Sequence, residues 1–228
     1  MATAVMTDVQ RMRMVVDQLR GRDIVDPLVL AAFSRVPREA FVPPEAIKFA
    51  YDDTPLPIGN GQTISQPYVV AMTVQALHLA GHERVLEIGT GSGYAAAILG
   101  AIAREVETVE RIEELAHTAV DRLALLGFAN VHVHHADGSL GWPPGAPYEA
   151  ICVAAGAPYP PPSLLDQLAI GGRLVVPHGP IEHQRLVRIT RHEVANFVEE
   201  DLGDVRFVPL VGAEGWPDKS SGKPPTDA

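Results

Sequence analysis

An α/β fold, doubly wound around a mostly parallel sheet, is predicted by three features of the 228-residue chain. Short apolar runs alternate with amphipathic helical patterns over residues 66–190. A glycine-rich turn follows the first well-formed run, and an acidic residue follows the second. Strand–helix–strand alternation requires right-handed crossovers, which place helices on both faces of a parallel sheet. Hydrophobic residues make up 46% of the chain and charged residues 20%, which supports a buried core and argues against disorder.

Residues 1–65 read as a helical and irregular appendage packed on that core. Val9, Met12, Val16 and Leu19 share one helical face, and Gly21 stands where a stop is expected. Pro37, Pro43, Pro44, Pro55 and Pro57, with Gly59 and Gly61, predict an irregular segment that wraps a surface. Residues 66–215 form the core. RVLEI (84–88), EVETV (105–109), VHVHH (131–135), EAICVA (149–154) and RLVVP (173–177) are its strands. The intervening segments 94–102 and 112–127 are helices, the second with Leu115, Ala119, Leu123 and Leu126 at helical spacing. QRLVRIT (184–190) and DVRFVPL (204–210) have no long helix between them and predict antiparallel additions at a sheet edge. Residues 216–228 are polar with three prolines and read as a disordered tail. No repeat or composition break divides the chain, so a single domain is expected overall.

Composition removes several functions. Lys plus Arg is 18 and Asp plus Glu is 28, a net charge of −10 that disfavours nucleic acid and anionic membrane as partners. No stretch reaches the ~18 apolar residues of a membrane helix, and the first residues lack the pattern of a signal peptide. Cys152 is the only cysteine, which excludes an internal disulfide and fits a reducing, cytoplasmic setting. Its apolar surroundings make it a small buried hydrophobe. His132, His134 and His135 sit near Asp137, but strand alternation turns His135 away from the other two, so no metal site is expected. Ser92 does not occupy the G-x-S-x-G pattern of a hydrolase nucleophile.

The stretch Val85-Leu86-Glu87-Ile88-Gly89-Thr90-Gly91-Ser92-Gly93-Tyr94 passes from a strand through a glycine turn into a helix. Ligands of open α/β sheets bind at such turns, beyond the carboxyl ends of the strands. Glu110 lies 19 residues past Gly91, where an acidic side chain can accept both ribose hydroxyls of an adenosine. Asp137 and Gly138 end the third strand, within reach of an adenine. Two cofactors share this geometry. A dinucleotide needs G-x-G-x-x-G before a pyrophosphate, but the spacing here is G-x-G-x-G and Glu87 precedes it. A carboxylate there repels pyrophosphate and suits an ammonium group. The chemistry favours S-adenosyl-L-methionine, held by Glu87, Gly89, Gly91, Gly93, Glu110, Asp137 and Gly138.

Longer segments carry a family resemblance. VPREAFVP (36–43), YDDTPLPIGNGQTISQP (51–67), VLEIGTGSGY (85–94), TVER (108–111), GGRLVVPHG (171–179) and FVPLVGAEGW (207–216) resemble the protein-L-isoaspartate (D-aspartate) O-methyltransferases. QTISQP discriminates, because many methyltransferases share the glycine turn without it. Two small departures stand out: Glu149 replaces a common Asp, and Ala154-Ala155-Gly156 stands where a Thr-Ala pair is frequent. The resemblance implies a Rossmann-like S-adenosylmethionine-dependent methyltransferase fold. It also implies methyl transfer to the free α-carboxyl of L-isoaspartyl residues in damaged proteins and peptides. A monomer is compatible with the sequence, which does not itself fix the oligomeric state.

The acceptor carboxylate is already ionised at neutral pH, so no general base is needed. Thr63 and Ser65 are expected to bind it, Ser65 acting as the catalytic positioning group. Ser65 also has a bland alternative as the N-cap of a helix that begins near Pro67. Two rival functions stay open on sequence alone: a nicotinamide-dependent oxidoreductase, disfavoured by the glycine spacing, and a non-catalytic binder of isoaspartyl proteins.

Overall fold

The computed structural model describes residues 2–218. Helix α1 (Ala2–Arg13) runs directly into a π-helical turn, Met14–Arg20. The wider turn takes more residues per revolution and so rotates the apolar face. Met14, Val15 and Leu19 are buried, whereas Val9, Met12 and Val16 are about half exposed. Of the face predicted from spacing, only Leu19 enters the core. Gly21 does end the helix, its N–H donating to the Val16 carbonyl.

Helix α2 (Pro27–Arg35) starts where Asp26 accepts from the Leu28 and Val29 amides, with Pro27 in the first turn. Two 3₁₀ turns follow, Arg38–Phe41 and Pro44–Phe49. Strands β1 (Leu56–Gly59) and β2 (Gln62–Ile64) then pair as a hairpin. This hairpin is order that the proline-rich composition concealed. Arg38 fastens the whole region to the core. Its fully buried guanidinium donates to the Ala50 carbonyl at 2.8 Å and lies 4.8 Å over the Tyr94 ring. Tyr94 in turn meets Phe33 and Phe41 edge to face.

Helix α3 (Pro67–Ala76) leads into the sheet. Its strands are β3 (Arg84–Ile88), β4 (Glu105–Glu110), β5 (Val131–His135), β6 (Tyr148–Val153), β7 (Leu168–His178), β8 (Gln184–Glu193) and β9 (Asn196–Val205). Among the described residues they form one sheet in the order β5-β4-β3-β6-β7-β8-β9. Pairing is parallel from β5 to β7 and antiparallel at β7–β8 and β8–β9. The antiparallel edge agrees with the sequence reading, but its last strand lies earlier than expected. β8 and β9 form a tight hairpin, so DVRFVPL contributes only its first two residues to a strand. Beyond them the chain leaves the sheet.

Strand alternation sorts the core into two layers. Val85, Val106, Cys152 and Val175 face the cluster that contains α3, α4 (Tyr94–Gly100), α5 (Glu113–Leu125) and the N-terminal segment. Leu86, Ile88, Ile151 and Leu174 face the opposite cluster, with Leu164 of α6 (Pro162–Gln167) and Leu210. Trp216 also belongs to the fold, since its indole N–H donates to the Gly156 carbonyl at 3.1 Å. The expected tail therefore begins later than residue 216, and residues 219–228 lie outside the described residues. No helix among the described residues is long and apolar enough to cross a membrane.

Candidate active site

From β3 the chain proceeds to β4 and β5 on one side and to β6 on the other, which creates a crevice at the carboxyl ends of these strands. A cavity occupies it. The amides of Gly89 and Thr90 both donate to the Val109 carbonyl, at 2.9 and 3.3 Å, folding the glycine turn over the end of β4. Gly91 lines the cavity at φ +53°, and a Cβ there would stand 3.3 Å from Ile58 Cδ1. A β-branched residue would be strained at that φ and would fill the space a ligand needs. Gly138 lines the cavity as well. A Cβ at that position would lie 2.6 Å from Ile88 Cγ2, so only glycine lets this backbone approach the end of β3.

Two carboxyl groups face the cavity, in different conditions. Glu110 Oε2 accepts from the Gly91 amide and Oε1 from the Ile112 amide, both at 2.9 Å. A carboxylate offers about four acceptor sites, so each oxygen keeps one for a ligand. Glu87 is fully buried. Its Oε2 accepts from the Thr108 hydroxyl at 2.5 Å, and that hydroxyl lies 2.6 Å from the Thr90 hydroxyl. Because Thr108 donates to Glu87, Thr90 donates to Thr108, and the three form a chain anchored in the glycine turn. Glu87 Oε1 has no partner among the described residues. Burial pushes the Glu87 carboxyl up to about 8, against the pull of the Thr108 hydrogen bond and with a further push from Glu110.

Cys152 pairs with Glu87 in the β3–β6 register and also lines the cavity. Burial, with Glu87 nearby, pushes its thiol well up, so it stays a neutral apolar group as the sequence suggested.

Thr63 and Ser65 reach the same cavity from β2 and the residues just after it. Among the described residues neither hydroxyl has a hydrogen-bond partner. The cap residue of α3 is Gln66, which makes no side-chain capping bond. Its amide instead donates to Asp53 at 2.8 Å. Ser65 therefore precedes the cap, and the structure removes its bland alternative.

A further wall escaped the sequence reading. Phe207–Val211 leave β9 as an irregular strap and line the cavity. The Gly156 amide donates to the Val208 carbonyl and the Leu210 amide to the Gly156 carbonyl, each at 2.8 Å. Pro209 within the apolar run, with Gly212 and Gly215 just after, is the signal that distinguishes a strap from a strand.

Two expected cofactor residues do not line the cavity. Gly93 is the cap of α4 and abuts Ala119 and Leu123 of α5. Asp137 is occupied elsewhere: Oδ1 accepts from the Ser139 amide and hydroxyl at 2.9 and 2.7 Å, and Oδ2 from the Ala213 amide at 2.8 Å. Its neighbour Gly138 is the one that reaches the site. The histidines of β5 are likewise engaged, His134 with Glu107 and the Trp142 ring, and His135 with the Arg111 carbonyl.

With this geometry in hand, sequence comparison is decisive. The profile of the protein-L-isoaspartate(D-aspartate) O-methyltransferases matches residues 10–215. The chain belongs to that family. A protein-L-isoaspartate O-methyltransferase 1 of Rhodopseudomonas palustris (strain HaA2) is 62% identical over 91% of this chain and 85% of the relative. A second relative, from Brucella anthropi, is 56% identical over 90% of this chain and 94% of its own length. A solved protein-L-isoaspartate O-methyltransferase superimposes with a TM-score of 0.83 at 28% identity, covering 90% of this chain and 67% of the other. A Plasmodium falciparum structure described as such a methyltransferase, in complex with S-adenosyl-L-homocysteine, gives a TM-score of 0.76 at 25% identity. It covers 86% of this chain and 96% of that one. The Rossmann-like methyltransferase fold that the resemblance implied is the one this family shares.

Proposed function

We propose that this cavity is where the chain transfers a methyl group from S-adenosyl-L-methionine to the free α-carboxyl of L-isoaspartyl residues in damaged proteins and peptides. The Glu87 carboxyl carries the reading: it is buried, one oxygen is tied to Thr108, and the other is unpaired at a cavity floored by a glycine turn. In its ionised form that acid would meet a pyrophosphate with like charge. The cofactor's α-ammonium instead supplies both the missing donor and a positive charge. The other groups suit the same ligand. Glu110 retains lone pairs for the ribose hydroxyls, Gly89 and Gly91 allow close backbone approach, and Gly138 borders space for the adenine. When bound, S-adenosylmethionine supplies an electrophilic methyl group on a sulfonium.

The acceptor needs orientation more than activation. An α-carboxyl titrates at roughly 3.5, so it is ionised at neutral pH and no residue must remove a proton. Thr63 and Ser65, both unpaired, are the donors that would hold it, and Ser65 would orient the attacking oxygen toward the cofactor's methyl group. The methyl ester then closes spontaneously to a succinimide, whose hydrolysis returns part of the material to normal aspartate. Repair of aged proteins is the outcome. The acidic composition and single buried cysteine support a cytoplasmic setting and action on proteins and peptides rather than on nucleic acid.

Labelled methyl transfer to an isoaspartyl peptide, beside the normal aspartyl peptide of the same sequence, tests the reading. Label is expected in the first alone; equal labelling, or none, contradicts it. Calorimetry with S-adenosylhomocysteine and with a nicotinamide dinucleotide should detect binding of the former only.

A further inference from the structure

The strap that walls the cavity is latched at its far end, and we propose that Asp137 and Glu214 are positioning residues for the acceptor, acting through this latch. Asp137 Oδ2 accepts the Ala213 amide at 2.8 Å, and Ser139 Oγ accepts the Glu214 amide at 3.0 Å. The Glu214 carboxylate then accepts the amide and the hydroxyl of Ser163, at 2.9 and 2.7 Å, in the first turn of α6. The fit leaves no slack. A Cβ at Gly212 would lie 2.1 Å from Asp137 Oδ1, and one at Gly215 would lie 2.3 Å from the Leu210 carbonyl. Trp216 closes the loop, its amide donating to the Leu210 carbonyl at 2.7 Å and its indole to Gly156.

The cavity-lining residues 208–211 are held by two anchors. One is the pairing with Gly156, which belongs to the backbone. The other is the latch, which depends on two carboxylates, of Asp137 and Glu214, and two serines, Ser139 and Ser163. Leu210 packs with the sheet layer that faces α6, whereas Ile64 of the β2 hairpin packs with the opposite layer. Strap and hairpin therefore flank the crevice from opposite sides, and a peptide that presents a carboxylate to Ser65 must pass between them. Releasing the latch leaves the sheet, the glycine turn and the Gly156 pairing intact but loosens the strap beyond Leu210. An acceptor would then have to order it again on binding, at a cost in conformational entropy. That cost appears in the peptide KM.

The proposal rests on the cavity being the acceptor site. Asp137→Asn is the sharpest variant, because its carbonyl can keep both Ser139 bonds while its NH₂ group meets the Ala213 N–H donor to donor. Glu214→Ala removes the Ser163 bonds at the other end of the latch. For both, KM and kcat on an isoaspartyl peptide at saturating S-adenosylmethionine would be measured beside the calorimetric Kd of S-adenosylhomocysteine, which also certifies folding. A rise in KM of about 5- to 20-fold is expected in each, the range for one or two lost hydrogen bonds, with Kd and kcat within about twofold. The double variant should fall short of the product of the single effects, since both act through one strap. An unchanged KM in the folded variants, or a Kd that weakens as far as KM rises, would overturn the proposal. Should Asp137→Asn fail to fold, Glu214→Ala carries the same test alone. A failure of the underlying site reading is distinguishable, since Ser65→Ala would then also leave the peptide kinetics untouched.

Discussion

On the glycine-turn side of the cavity, polar side chains are buried and bonded to one another; on the hairpin-and-strap side they are not. Glu87, Thr108 and Thr90 form a continuous hydrogen-bonded chain, and Glu110 holds the Gly91 and Ile112 amides. Thr63 and Ser65 have no such partners among the described residues, and the facing strap offers backbone and the apolar residues Val208 to Val211. A preorganised wall suits a ligand of fixed shape that every turnover requires, because little is left to order on binding. An open wall suits a carboxylate carried by many different peptides. Changes to the first wall should appear in cofactor affinity, and changes to the second in acceptor kinetics.

The largest effect is expected at Gly91. Gly91→Val places a β-branched residue at φ +53° and fills the cavity, so S-adenosylhomocysteine binding should fall below detection in a calorimeter. Near-normal affinity would detach the glycine turn from the cofactor. Glu110→Ala should weaken the same ligand by about 1.5–3 kcal/mol, the range for charge-assisted hydrogen bonds. It should also lower the melting temperature, because the Gly91 and Ile112 amides lose their acceptor. A stability loss with no change in Kd would confine Glu110 to organising the turn.

Ser65→Ala should reduce methyl transfer by about 10- to 100-fold, or 1.4–2.7 kcal/mol of barrier, with the melting temperature unchanged because the hydroxyl caps nothing. The smallest effect concerns Glu87 and pH. The folded protein holds the Glu87 proton up to about pH 8, whereas the ordinary value is 4.5. Between those values the folded state binds more protons than the unfolded state, so the stability of the cofactor-free protein falls as pH rises, by on the order of 1 kcal/mol per pH unit at most. Glu87→Gln should flatten that slope in urea titrations at pH 5.5 and 7.5. Since an ammonium ligand needs the ionised acid, affinity for S-adenosylhomocysteine should rise over the same interval in the native protein and not in the variant.

The two walls also differ in how far the sequence exposes them. RVLEI and VHVHH are strands at the positions their alternation indicates, and the residues of the glycine turn and Glu110 meet because a single crossover separates them. Such local arrangements follow from spacing and strand chemistry. The strap does not, because nothing in DVRFVPL shows that Gly156, more than fifty residues earlier in the chain, will pair with it in place of a sheet neighbour. Asp137 failed for a related reason. Its place after β5 is right for an adenine contact, but the Ala213 amide arrives from the far end of the chain and takes the carboxylate. In the N-terminal segment the α period was read through a π-helical turn, which moved Met14 and Val15 inward and Met12 and Val16 outward.

The division of labour between the walls is tested most directly by crossing two variants with two readouts: Ser65→Ala and Glu110→Ala, each assayed for isoaspartyl-peptide kcat/KM at saturating cofactor and for S-adenosylhomocysteine Kd. The expected result is a diagonal. Ser65→Ala should lose at least about tenfold in kcat/KM with Kd within about twofold, whereas Glu110→Ala should lose at least about tenfold in Kd and recover most of its turnover once cofactor saturates. Parallel losses in both readouts for both variants would contradict it, showing that cofactor and acceptor are held by one coupled surface instead of two.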